Sequence, residues 1–167
     1  MQITIRKAAS TLSVLAIMTA ATPALAENTI YMNFGHMPIY STDTDNGDTY
    51  GNSFEFGVYL EERTRMGVYH EQMSVEDAGG NNPSITGLAT EHDLLQQDKF
   101  ASAIGIMIGN DGMNNSASDI YGRFMLTSSE HTNINARVAY RTQPATPVAA
   151  ADDLNGMALS IGFGLNF

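Results

Sequence analysis

The chain of 167 residues sets 8 lysines and arginines against 18 aspartates and glutamates, a formal net charge of −10 at pH 7. That excess of acid argues against non-specific binding to a nucleic-acid backbone. With no cysteine, the chain has neither a disulfide framework nor a thiolate metal site open to it.

The first segment is a candidate for removal. "MQITIRK" carries Arg6 and Lys7, residues 8–21 are mostly apolar, and "ATPALA" ends on Ala24-Leu25-Ala26, a small-x-small site. Polar Glu27-Asn28-Thr29 follow at once. This pattern predicts a secretory signal peptide over residues 1–26 rather than a membrane anchor, the competing reading being a retained N-terminal helix. Residues 27–167 then form one domain with 6 basic and 18 acidic side chains.

From there the sequence alternates with the two-residue period of strands. "NTIYMNFGH" (28–36) places Ile30, Met32 and Phe34 on one face, and "NSFEFGVYLEE" (52–62) places Phe54, Phe56, Val58 and Leu60 against Glu55, Gly57, Tyr59 and Glu61. "MGVYHEQMSV" (66–75) and "SITGLATEHDL" (84–94) alternate less cleanly and are also read as strands. "KFASAIGIMIGN" (99–110), "SDIYGRFMLTS" (118–128), "TNINARVAYRT" (132–142) and "GMALSIGFGLNF" (156–167) each set large apolar residues against small or polar ones. Eight strands are expected.

The connections alternate as well. "RTR", "LQQD" and "SEH" are short, whereas residues 38–52, 76–83, 111–117 and 143–155 are longer and rich in turn formers. An up-and-down transmembrane β-barrel has this rhythm, with tight periplasmic turns and longer external loops. A soluble barrel of the same topology would put the large residues inside, and remains the alternative. Secretion, segments of 9–11 residues, and glycine and alanine on the polar face favour the membrane arrangement. Eight strands enclose an interior that side chains fill, so an open pore is not expected. Glu55 and Glu61 would meet Arg123, Arg137 and Arg141 there as a buried charge network, first of all a structural plug. A gated ion or proton path is the other use of such charges.

The last strand, with Phe163, Leu165 and the terminal Phe167, resembles the endings of small eight-stranded outer-membrane barrels of Gram-negative bacteria, the group of opacity-type and attachment/invasion proteins. The resemblance implies that these three residues form an assembly signal read by the barrel-assembly machinery. It implies an integral outer-membrane barrel among lipid and lipopolysaccharide, with a structural or adhesin-like role and a host or envelope partner at the external loops. His70, Glu71, Gln72, Glu91 and His92 depart from the pattern, because they leave no clean lipid face in the third and fourth segments.

Chemistry finds little support. The lipid-A deacylases among such barrels carry His-x-Ser-Asn, whereas His131 is followed by Thr132 and Asn133. No nucleophile, base and orienting group are evident together, and His36, His70 and His92 read as rim or interior residues. Asp43, Asp45 and Asp48 suggest a calcium loop, but Asn46-Gly47-Asp48 breaks the register of ligands. No cofactor, metal or catalytic residue is therefore assigned. A lipid-A-modifying enzyme and a soluble periplasmic ligand-binding barrel stand as alternatives. The acids of the long loops (with Glu76, Asp77, Asp111, Asp152 and Asp153) are candidates for divalent-cation bridging to lipopolysaccharide.

Overall fold

The computed structural model describes residues 30–42, 49–75, 82–111, 115–143 and 155–167. The expected signal peptide lies outside these residues, as do Asp43, Asp45, Asp48, Glu76, Asp77, Asp152 and Asp153. The eight strands are β1 (Ile30–Thr42), β2 (Thr49–Glu61), β3 (Thr64–Val75), β4 (Ser84–Gln96), β5 (Phe100–Asp111), β6 (Ser116–Ser129), β7 (Thr132–Thr142) and β8 (Gly156–Asn166). Each pairs antiparallel with the next, and β8 pairs with β1 to close the barrel.

Closure is staggered. Following the paired residues from Ile30 through Val58, Met66, Thr90, Ile106, Ile120, Tyr140 and Met157 leads back to β1 at Ser41, eleven residues beyond the start. Such a stagger tilts the strands against the barrel axis, by roughly 35–45° in barrels of this kind. Both ends of the barrel domain meet at the tight-turn end, where Ile30 and Phe167 exchange backbone hydrogen bonds of 3.2 and 2.9 Å.

The two faces of the wall divide by chemistry. Ile108, Ile120, Phe124, Leu126, Ile134, Ile161 and Phe163 are all at least half exposed on the outside. Inside lie Glu55, Arg65, Glu71, Glu91, Asp119, Arg123, Arg137 and Arg141, all buried. A water-soluble barrel has the reverse arrangement, so that alternative is not the one the chain adopts.

The strands outrun the sequence expectation at the long-loop end. β1 continues to Thr42 and β2 begins at Thr49, so the connection expected over 38–52 reduces to residues 43–48. An irregularity between His36 and Ile39 explains the difference. Pro38 and Ile39 both face outward while Met37 and Tyr40 both face inward, so the two-residue alternation breaks where the strand continues. A bulge tolerates proline, which has no N–H to give to a ladder.

Small residues on the inner face make room for large ones. A Cβ on Gly57 or Gly67 would strike the Tyr31 ring or its hydroxyl, and one on Gly105 would strike Tyr121. Gly122 faces outward, and a Cβ there has its nearest neighbour at 3.9 Å. Gly105→Ala should therefore destabilise the folded barrel by about 1–3 kcal/mol through overpacking. Gly122→Ala should stay within about 0.5 kcal/mol of the parent. Urea unfolding of the two variants refolded in detergent micelles measures the contrast.

Candidate functional site

The inner face of β3 gives the order of the lumen from the tight-turn end upward: Arg65, Gly67, Tyr69, Glu71, Met73, Val75. Two polar networks are stacked in that order, and a cluster of methionine, isoleucine and alanine packs about the upper one.

The lower network centres on Arg123 and Arg65. Arg123 Nη2 donates to Glu55 Oε2 at 2.5 Å, and Tyr31 Oη donates to Glu55 Oε1 at 2.7 Å. Arg123 Nε lies 3.0 Å from Glu91 Oε2, close enough for an ion pair though poorly aligned for a hydrogen bond. The other Glu91 oxygen accepts from Arg65, which also donates to Tyr59 Oη at 3.1 Å. Asp93 stands 3.8 Å from the same guanidinium. Below them the lumen opens into a cavity of about 470 Å³, lined by Arg65, Asp93, Tyr59, Asn133 and Asn166, with Glu62, Arg63 and Asp98 also on its lining.

The upper network is a closed ring of hydrogen bonds. Arg141 Nη1 donates to Glu71 Oε1 at 2.7 Å and its Nε to Asp119 Oδ1 at 2.8 Å. Arg137 Nη2 donates to Asp119 Oδ2 at 2.8 Å and its Nη1 to Tyr69 Oη at 3.0 Å. Tyr69 Oη donates to Glu71 Oε2 and completes the circuit. Tyr121 joins the two storeys, with the Arg137 guanidinium 4.1 Å and the Arg123 guanidinium 5.8 Å from its ring centre. Met37, Met73, Met107 and Ile85 pack with Ala117 and Ala158 about this ring.

The geometry of these pairs decides what the lumen can do. Glu55 and Arg123 come from β2 and β6, Glu71 and Arg141 from β3 and β7. In a ring of eight, strands four apart face each other across a diameter. The ion pairs therefore cross the bore, where an open channel would have lined it with charge and left water between.

Of the residues expected in the interior network, the structure brings together Glu55, Arg123, Arg137 and Arg141. Glu61 is a correction: it is exposed at the end of β2, beyond a register shift between Tyr59 and Glu61, and stands outside the lumen. Arg65, Glu71, Glu91 and Asp119 take the places that sequence reading missed. Asp119 has the parity of Tyr121 and Arg123, so one more step along the same face would have found it. Arg65, the last residue of the short connection "RTR" in the sequence, is the second residue of β3 and buried, and Glu71 and Glu91, departures from a lipid face in the sequence, belong to the opposite face. Phe163 and Phe167 point outward and Leu165 is half-buried. The Phe163 ring stacks on Phe34 at 4.9 Å, across the closing pair of strands. His131 is exposed in the turn between β6 and β7, while His36, His70 and His92 lie on the outer wall and not in the interior.

No family model matches the chain, and no curated protein matches it in sequence. Solved structures do match in fold. Neisserial surface protein A is similar with a TM-score of 0.66 at 11% identity, covering 87% of this chain and 100% of that one. The N-terminal β-barrel domain of Pseudomonas aeruginosa OprF gives 0.58 at 12% identity, covering 84% and 98%. A de novo designed transmembrane β-barrel gives 0.63 at 6% identity, covering 86% and 100%. Identities this low carry the architecture alone: a closed, antiparallel, eight-stranded barrel whose structural neighbours are membrane barrels.

Removing one partner of a buried ion pair leaves the other charge uncompensated, at about 3–5 kcal/mol. Arg141→Leu leaves Glu71 without a counter-charge, while Asp119 keeps Arg137, and should cost about that much in urea unfolding. Arg141→Lys should restore only part of it, since an ammonium does not reproduce the planar fork that serves two carboxylates.

Proposed function

We propose that the chain is an integral outer-membrane barrel whose lumen is a plug and whose long connections form a surface for structural or adhesive contact. The carrying observation is the inverted wall, with isoleucine, leucine and phenylalanine outside and crossed ion pairs within. Only a lipid environment makes such an outer face favourable, and closure leaves no unpaired strand edge in it. The signal-peptide pattern of residues 1–26 supports export, and the resemblance to opacity-type and attachment/invasion barrels supports the surface role. In this reading the tight turns and both ends of the domain face the periplasm. The long connections face outward, carrying seven acids between the strands (Asp43, Asp45, Asp48, Glu76, Asp77, Asp152, Asp153), with Asp111 the last residue of β5, and no lysine or arginine.

The protein should extract from envelopes only with detergent and change its gel mobility on boiling. Because it lacks cysteine, orientation is read directly on intact cells. A membrane-impermeant maleimide should label Asn46→Cys and not Asp98→Cys, and the opposite pattern would reverse the topology. Recovery of the protein in the soluble periplasmic fraction would end the membrane reading altogether.

The ending supplies a separate test. Phe167 is 56% exposed, so its deletion forfeits little packing within the barrel. If it is part of an assembly signal, the deletion should deplete the outer-membrane band, with degradation or periplasmic accumulation. An unchanged level and unchanged fractionation would assign the terminal phenylalanine no such role.

A further inference from the structure

We infer that the outer face of β3 and β4 is a contact surface for a second copy of this chain within the membrane; the inference rests on the membrane-barrel reading. The outer wall is not uniform. On β6 and β7 the outward pairs run Leu126–Ile134, Phe124–Ala136, Gly122–Val138 and Ile120–Tyr140. On β3 and β4 they run Thr64–His92, Met66–Thr90, Val68–Leu88, His70–Thr86 and Gln72–Ser84. Only one of these five pairs is apolar on both strands. The polar residues are not confined to the ends, where headgroups would solvate them. Thr90 occupies the middle of β4, and His92 lies two residues from it.

The seam meets part of its own hydrogen-bonding need: Thr90 Oγ1 donates to the Arg65 carbonyl at 3.3 Å and the Gln72 amide to the Asn82 and Pro83 carbonyls at 3.1 and 3.4 Å, which leaves the two imidazoles. His92 Nδ1 is 3.0 Å from Thr64 Oγ1 and His70 Nδ1 is 2.9 Å from Thr86 Oγ1, each across the strand pair. Each imidazole uses one nitrogen in this way and carries a second that the pair does not use. An unmet polar group in hydrocarbon costs several kcal/mol, and polar side chains on membrane-embedded surfaces serve as association contacts.

The character of the seam selects its occupant. It holds threonine, histidine, glutamine and serine with no acid, lysine or arginine, and each of these groups both donates and accepts. A charged partner finds no counter-charge there. A second identical seam, turned by a two-fold axis, meets it with groups that both donate and accept and brings no like-charge repulsion. Two-fold pairing of one patch with itself is also the commonest closed assembly. Val68 and Leu88, paired at the centre of the seam, then fall near the axis.

Single cysteines at Val68, Leu88 and Ile161 test this in native outer membranes with a short bis-maleimide. Val68→Cys and Leu88→Cys should each give a band at twice the chain's mass, and Ile161→Cys, on the apolar side, should not. Adding Thr90→Val with His92→Leu to the Leu88→Cys chain should abolish that band while leaving heat-modifiable mobility intact. Absence of the dimer band at both seam positions, with mobility showing folded barrels, would overturn the inference and mean that lipid covers the seam. A band of another mass would overturn it in favour of a different protein. Equal cross-linking at Ile161 would overturn it as random collision. Failure of the membrane reading itself is recognised separately, by loss of the barrels from the membrane fraction.

Discussion

An eight-stranded ring encloses a bore too narrow to hold water freely and too wide to leave empty, and most features of this chain follow from filling it. The wall supplies alternate residues to the inside, so each strand must offer a graded series of sizes rather than a uniform polar face. Glycine stands where a nearby strand lays a tyrosine along the wall, as Gly57 and Gly67 do for Tyr31 and Gly105 does for Tyr121. Arginine stands where the reach must cross a diameter. Its length brings the guanidinium to the far wall, and its fork engages two acids at once. Arg141 does this between Glu71 and Asp119, and Arg123 between Glu55 and Glu91.

This filling also governs closure of the ring. Pairing of β1 with β8 joins the first and last strands, the most non-local strand pairing among the described residues, and its loop-closure entropy is the largest of the eight. Crossed pairs join β2 to β6 and β3 to β7, so the two halves of the ring are tied together independently of that seam. Tyr31 of β1 sits on Glu55 and Tyr59 of β2 reaches Asn166 of β8 at 3.3 Å, which carries the lower network to the seam itself. The lumen therefore specifies the register of closure as well as occupying space. A one-residue slip in β2, β3, β4, β6 or β7 would turn its charges onto the outer wall.

How far all this was legible depended on whether the two faces of a strand differ. β5, β6, β7 and β8 have aliphatic outer faces and small or polar inner ones, and their strands and facing were readable directly. β3 and β4 carry polar residues on both faces, so period alone could not say which side held the core; Glu71 and Glu91 point inward while His70 and His92 point out. The end of β1 was lost for a different reason. Pro38 and the bulge beside it break the alternation, and a broken period followed by turn formers looks like a loop. Glu61 erred in the other direction, because alternation was carried past the register shift that ends it. The pairing partners themselves, such as Glu71 with Arg141, were beyond the sequence, since they depend on stagger and not on position along a strand.

The allocation of charge has a consequence at the scale of the whole chain. Four of the six basic residues beyond residue 26 lie in the lumen: Arg65, Arg123, Arg137 and Arg141. The other two, Arg63 and Lys99, lie at the tight-turn end, so the long connections are left with acid alone. Charge at alternate positions also keeps mean hydropathy at −0.14 despite the apolar outer face of most strands. A chain exported through an inner membrane needs this property, because about 20 consecutive apolar residues would halt there as a helix. On the reading proposed above, placing arginine and glutamate between isoleucines meets that demand in transit. After folding, the same residues turn inward and neutralise one another across the bore. On the proposed outer-membrane reading, the polarity that lets the chain pass one membrane is the material from which it builds its core in another.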